Sequence, residues 1–233
     1  ISFASGSQLT TIGKEAFSGS NLTSITIPEG VDTVNISAFK GCTELSTVNL
    51  TNVSTVEADA FKGCSKLNVI GWSTKLTAIK DGAFSGCAIA ELKLAGSTWA
   101  GNVTWGDNVF EKNKSLTKVT FPDAMTKIPY GMFSECTALT SVTLTTTCTS
   151  IEGEAFADCT ALKKITIPKN VSRIASRAFA VCKALEEVTI NQQGNTSTGE
   201  STIVIATDNT KNTDGVRLNE DSERTFIGAR INI

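Results

Sequence analysis

Apolar residues along the chain fall into short bursts that repeat about every 23 positions, separated by polar stretches and by single phenylalanines. One burst reads Leu22-x-x-Ile25-x-Ile27, Leu45-x-x-Val48-x-Leu50 and, later, Leu162-x-x-Ile165-x-Ile167. Its last two apolar residues alternate with a polar one, so they share one face of a short strand. Proline follows three of these strands, at Pro28, Pro122 and Pro168, where it cannot continue a ladder. A second burst is an apolar pair three residues apart: Val31 and Val34, Val53 and Val56, Leu76 and Ile79, Met125 and Ile128, Val171 and Ile174. Such pairs return the chain to the next phenylalanine, and one coil is complete.

The phenylalanines set the register. Phe17, Phe39, Phe61, Phe84, Phe110, Phe133, Phe156 and Phe179 lie 22, 22, 23, 26, 23, 23 and 23 residues apart, and alanine precedes six of them. Three residues after each comes Ser20, Cys42, Cys64, Cys87, Asn113, Cys136, Cys159 or Cys182, so six of the seven cysteines hold one repeat position. Glycine two residues after the phenylalanine, at Gly19, Gly41, Gly63 and Gly86, predicts a single helical or tight turn there. Fixed periods of this length are the signature of stacked repeats, in which each unit buries its apolar face against its neighbours.

The pattern Ile-x-x-x-Ala-Phe-x-Gly-Cys-x-x-Leu-x-x-Val-x-Leu resembles the BspA-like, or treponemal-type, leucine-rich repeats, over about residues 1–190. The resemblance implies a leucine-rich-repeat solenoid of the α/β horseshoe class, mostly β with short helical turns, built from about eight repeats of 22–26 residues. It also implies a secreted or surface-attached bacterial or protist protein, often one module of a longer chain, associated with adhesion to host or matrix proteins. Two departures stand out. The asparagine ladder of ordinary leucine-rich repeats is missing, with Gly30, Val53, Lys75, Ala124 and Lys169 in its place, and the 26-residue interval carries an insertion at residues 95–102 expected to protrude.

Charge and composition narrow the function classes. A formal charge of -2, from 21 basic and 23 acidic residues, offers no footprint for nucleic acid and no polybasic membrane patch. No apolar run is long enough to span a bilayer, and Ile1-Ser2-Phe3 has neither a charged nor an apolar leader region. Ile1–Phe3 instead reads as a strand in progress, with Leu9 and Ile12 finishing that coil, so the array is expected to begin upstream. Histidine is absent, which removes the commonest general base and transition-metal ligand. Glu15, Asp59, Asp81 and Glu154 are spread over different coils near the turns, where solvated capping accounts for them better than catalysis. No enzyme activity, cofactor or metal is expected.

Cysteines at one position of a stack invite readings as metal ligands, nucleophiles or disulfides. Successive coils lie about 5 Å apart, within the reach of a disulfide. Equivalent side chains point the same way, however, and each run of three, Cys42-64-87 and Cys136-159-182, is odd, which favours a buried ladder of free thiols. Cys148, in the position of Val31 and Val53, reads as core too, as do Trp72, Trp105 and the phenylalanines.

The candidate contact surface is the outward face of the concave sheet. One row there reads Thr26, Asn49, Gly71, Lys93, Thr120, Thr143, Thr166 and Thr189, and its parallel reads Ser24, Thr47, Val69, Glu91, Lys118, Ser141, Lys164 and Glu187. Threonine suits any exposed sheet, but solenoids also use such rows for recognition. Lys163 and Lys164 recur one coil later as Glu186 and Glu187, a pattern that cross-strand pairing explains. Trp99, in the insertion, has no repeat counterpart and is a second candidate anchor.

After Ile190 the period breaks, and residues 191–233 are expected to cap the last coil through strands at Ser201–Ala206 and Thr225–Ile233. The Asn212-x-Asp214-Gly215 echo of a calcium loop lacks the right first ligand. Two functions compete: a noncatalytic, extracellular protein-binding or adhesion module, and a passive spacer within a longer surface protein.

Overall fold

A computed structural model describes residues 3, 6–94 and 103–190, together with the strands Val204–Ile205 and Arg230–Asn232. The chain winds into a stacked series of coils, and seven full turns separate the eight phenylalanines of the ladder. Each coil contributes one strand to each of two parallel walls. The first wall contains Ser24–Thr26, Thr47–Asn49 and Val69–Gly71, then Glu91–Lys93, Lys118–Thr120 and Ser141–Thr143, then Lys164–Ile167, Glu187–Ile190 and Arg230–Asn232. The second contains Thr33–Val34, Thr55–Val56, Ala78–Ile79 and Thr104–Trp105, then Lys127–Ile128, Ser150–Ile151, Arg173–Ile174 and Val204–Ile205. Every pairing is parallel and joins equivalent repeat positions, such as Ile25 with Val48 and Ile151 with Ile174.

Of the two forms expected around each phenylalanine, a helical or a tight turn, the tight turn forms, so the short helical turns implied by the horseshoe class are not found there. No helix occurs among the described residues, and the Ala-Phe segment is a tight turn with two left-handed residues. The residue two before each phenylalanine has positive φ: Glu15, Ser37, Asp59, Gly82, Asn108, Gly131, Glu154 and Arg177. So does the residue two after it: Gly19, Gly41, Gly63, Gly86, Lys112, Glu135, Asp158 and Val181. Left-handed residues at both ends of the turn send alternate N–H groups in two directions. The amides of Glu15, Phe17 and Gly19 donate to Ile36, Ala38 and Lys40 of the next coil, while those of Ala16, Ser18 and Ser20 close turns within their own. A helix would spend all of these donors within one coil, leaving the stack unconnected on this side. Glu15, Asp59 and Glu154 are therefore left-handed turn residues rather than helix caps.

The core fills the space between the walls and the turns. From Phe39 to Phe179 every phenylalanine of the ladder is buried, and the rings stack on their neighbours at 5.2–5.9 Å. Burying one such side chain contributes roughly 1.5–3 kcal/mol, and offset stacking about 0.5–1.5 kcal/mol more. All seven cysteines are buried and free. Each of the six ladder thiols donates to the phenylalanine carbonyl of the preceding coil, from Cys42 to Phe17 at 3.0 Å through Cys182 to Phe156 at 3.1 Å. Asn113 fills the seventh place, its amide donating to Phe84 at 2.8 Å and Phe110 at 2.9 Å, while its oxygen accepts the Ile89 amide at 3.3 Å. Trp72 and Trp105 pack on Phe84 and Phe110 but stay half-buried.

Both walls are interrupted, and local sequence explains two of the interruptions. The coils on either side place two residues between the ladder position and the next leucine, as in Cys64-Ser-Lys-Leu67 and Asn113-Lys-Ser-Leu116, but Cys87-Ala88-Ile89 places one, as only Ser20-Asn21-Leu22 of the first coil also does. The first wall parts at this point: no Cα of Val69–Gly71 comes within 8 Å of one in Glu91–Lys93. On the second wall, the amides of Lys80, Gly106 and Glu152 donate to Val56, Ile79 and Ile128 of the preceding coil. Pro129 occupies the equivalent place and has no N–H, and the wall parts between Thr104–Trp105 and Lys127–Ile128.

Candidate functional site

The first wall's outer face follows from strand alternation. Ile25, Val48, Leu92, Val119, Ile165 and Val188 point into the core, so the residues on either side of each point outward. Register then brings the sequence-predicted residues together in file: Thr26 beside Asn49, Lys93 beside Thr120 beside Thr143, and Thr166 beside Thr189. Thr26, Lys93, Thr143 and Thr166 are exposed, while Asn49, Thr120 and Thr189 are half-buried by neighbouring side chains. The file is broken between Asn49 and Lys93, where Gly71 contributes no side chain and the wall parts. Trp99 and the remainder of the insertion lie outside the described residues.

Charges on this face pair with one another. Lys93 meets Glu91 at 3.1 Å, and Lys164 meets Glu187 across adjacent strands at 2.6 Å, as the charge reversal between coils led one to expect. The hydrogen bond from Lys164 holds the Glu187 carboxyl below its ordinary value, and Glu187 in turn holds the Lys164 ammonium above its own. What remains is a flat surface of hydroxyls with its charges mostly matched. It can form shallow polar contacts over a long span, and among the described residues its two outward rows carry no aromatic anchor for a tight hot spot.

The apolar residue Val69 is 53% exposed on the same face, at the edge of the gap. Sequence reasoning passed over Tyr130, the chain's one tyrosine, which is 43% exposed three residues before Phe133. Its ring lies against the Gly153 backbone, close enough that a Cβ there would meet it at 3.2 Å. Burial of part of its ring, then a hydrogen bond with Glu154, raise its hydroxyl above the ordinary value. The signal was available in the repeat register: the equivalent positions hold Lys14, Ile36, Ala58, Asp81, Asp107, Gly153 and Ser176, none aromatic.

The thiols are unsuited to nucleophilic work. Burial pushes Cys64, Cys136 and Cys182 up to about 12 and Cys148 up to about 11, and it raises Cys87 and Cys159 well above the ordinary range. Among the described residues no group of three or more Cys, Asp or Glu side chains could hold a metal ion. Nor is any helix among them long and apolar enough to cross a membrane.

Comparison with known proteins bears on the architecture. A leucine-rich repeat protein from Bacteroides ovatus superposes with a TM-score of 0.59 at 24% identity, over 77% of this chain and 59% of its own. A leucine-rich repeat protein from Eubacterium ventriosum gives 0.59 at 21% identity, over 91% of this chain and 66% of its own. At these identities the likeness is one of fold, and the chain spans about 59–66% of the length of those two proteins. No curated protein matches the chain. The model of the BspA type leucine rich repeat region matches in 6 copies over residues 1–99 and 103–211. With nearly the whole sequence covered and the Ala-Phe turn, cysteine ladder and paired walls in place, the chain belongs to the BspA type leucine-rich-repeat family.

Proposed function

We propose that this chain is a noncatalytic protein-binding or adhesion module of a secreted or cell-surface protein, making contact through the outer face of its first wall. The observation that carries this reading is the in-register file of Lys93, Thr120 and Thr143, continued by Thr166 and Thr189. A regular hydroxyl row on a rigid parallel sheet presents an extended surface with little side-chain entropy to lose. Membership of a repeat family that builds interaction surfaces supports protein partners, and the extracellular setting comes from the family resemblance. Residues 191–233 cap the last coil in this reading, supported by the parallel pairing of Val204–Ile205 with Arg173–Ile174 and of Arg230–Asn232 with Glu187–Thr189.

The test is adhesion of the purified chain to immobilised extracellular-matrix proteins and to host-cell surfaces. Replacing Thr120, Thr143 and Thr166 together by Glu sets like charges along the row and should abolish whatever binding the native chain shows. Unchanged binding would remove this face from the account, and a parallel Trp99→Ala variant would then report on the insertion. A chain that bound nothing while its parent protein still adhered would be the passive spacer instead.

A further inference from the structure

We infer that the coil carrying Phe84 is a flexible joint that divides the solenoid into two stacks able to change their mutual angle. Three separate connections ordinarily hold one coil to the next: the first wall, the second wall and the left-handed turns. The Phe84 coil lacks one connection on each side. Toward the Phe61 coil the Ala88 amide still donates to Leu67 at 2.9 Å, but beyond it no Cα of Val69–Gly71 lies within 8 Å of one in Glu91–Lys93, while the second wall and the turns continue through Ala78 with Thr104 and Phe61 with Ala83. Toward the Phe110 coil the second wall is open, while the first wall and the turns continue through Leu92 with Val119 and Phe84 with Val109.

The two openings lie on different walls, one coil apart, with the turns running past both as a spine. The ring stack shows the same site: Phe84 and Phe110 are 5.9 Å apart and inclined by 14°, against 5.2–5.7 Å and at most 12° for the other pairs of the ladder. A further interruption of the first wall, between Ser141–Thr143 and Lys164–Ile167, is of another kind, because those strands remain neighbours within 8 Å.

In a globular domain, distant contacts would compensate for such openings. In a solenoid each coil touches only the next, so a missing wall lowers the cost of local opening directly. A local sequence feature accompanies each opening: Cys87-Ala88-Ile89 is one residue shorter than the coils that flank it, and Pro129 stands where the second wall requires an amide. The joint separates Thr26 and Asn49 from Thr120, Thr143, Thr166 and Thr189, so it would let two parts of one surface settle on a partner independently. The inference does not depend on that face being the contact surface.

Nitroxide labels at Thr26 and Thr143 span the joint, and labels at Thr120 and Thr189 lie within one stack. The distance distribution across the joint should be the broader one. In the unlabelled protein, the amide of Ile70, which alternates with Val69 and so faces the open side, should exchange on the order of tenfold faster than that of Val48, the equivalent position facing an intact neighbour. Pro129→Ala restores a donor and should narrow the Thr26–Thr143 distribution. Distributions of equal width for the two label pairs would overturn the joint, and a distribution that Pro129→Ala leaves unchanged would overturn the role given to the proline.

Discussion

The thiol of Cys64 donates to the backbone carbonyl of Phe39, one coil earlier, at 3.1 Å. That bond joins the two ladders of this fold, the stacked rings and the buried cysteines, into one unit. A carbonyl at this position already accepts the amide of its own coil's cysteine, as Phe39 does from Cys42. The thiol supplies a second, weak donor to an acceptor with two lone pairs, deep in a core that water does not reach. Serine would be a stronger donor but a poorer occupant of an apolar stack, which explains why Ser20 is found only on the first, partly open coil.

Loss of a ring from the middle of the ladder should be costly. Phe133 is fully buried and stacks on Phe110 at 5.7 Å and on Phe156 at 5.5 Å. Phe133→Ala should destabilise the fold by about 3–5 kcal/mol in urea unfolding, from lost transfer energy and a cavity that rigid neighbours cannot fill. A loss below about 1 kcal/mol would mean that the ring does not occupy the core.

Left-handed turn residues give predictions of opposite sign. Val181 holds φ of 59° while 38% exposed, an unfavourable conformation for a β-branched residue that gains little burial in return. Val181→Gly should stabilise the chain by about 1 kcal/mol, the relief of strain exceeding the entropy glycine adds to the unfolded state. At Gly63, with φ of 74°, a Cβ would meet only ordinary contacts at 3.8 Å, so Gly63→Val should cost roughly 1–3 kcal/mol through strain alone. Thermal denaturation of the two variants should move the midpoint in opposite directions.

The repeat register was legible because every coil solves the same packing problem, so Phe39, Phe61 and Phe84 report one position three times. Strand alternation gave the outward rows for the same reason, and the charge reversal from Lys164 to Glu187 proved to be a cross-strand pair. Two features could not be read so directly. Ala-Phe flanked by glycine is compatible with one helical turn or with a tight turn bounded by left-handed residues, and the choice depends on where the amides donate, which is a property of the stack rather than of one coil. The openings of the walls required a comparison of coils with each other: Cys87-Ala88-Ile89 looks ordinary until Cys64-Ser-Lys-Leu67 is set beside it.

The thiols should make stability depend on pH on the alkaline side. The folded values of Cys64, Cys87, Cys136, Cys148, Cys159 and Cys182 lie above the ordinary 9.0, with Cys64, Cys136 and Cys182 at about 12, because burial penalises the thiolate. In the unfolded chain the thiols ionise first, so that the folded state retains more protons above pH 9.0. Stability from this source is complete below pH 9.0 and is lost progressively as pH rises toward about 12. Chemical denaturation between those limits should show a falling midpoint. A disulfide reagent at neutral pH should label the native chain slowly and, after denaturation without reductant, find all seven thiols.

Asn113 is the polar member of the ladder, fully buried with both amide groups engaged. Asn113→Ala strands the Ile89 amide and the Phe84 carbonyl without their partner and should cost roughly 2–3 kcal/mol. Asn113→Cys restores the thiol found elsewhere in the ladder, though not the acceptor for Ile89, and should fall between the two. Equilibrium unfolding of the three proteins would rank them, and an alanine variant as stable as the native chain would show that water takes over these bonds.

Everything above rests on the left-handed turns that carry the coil-to-coil amide bonds, and these can be observed directly. Scalar couplings transmitted through hydrogen bonds, recorded on isotopically labelled protein, connect a donor nitrogen to the carbonyl carbon it reaches. The amide of Phe61 should couple to the carbonyl of Ala83 and that of Phe133 to Ala155, residues in the following coil. Coupling of Phe61 to Glu57, or of Phe133 to Pro129, would instead reveal a helical turn and contradict the fold described.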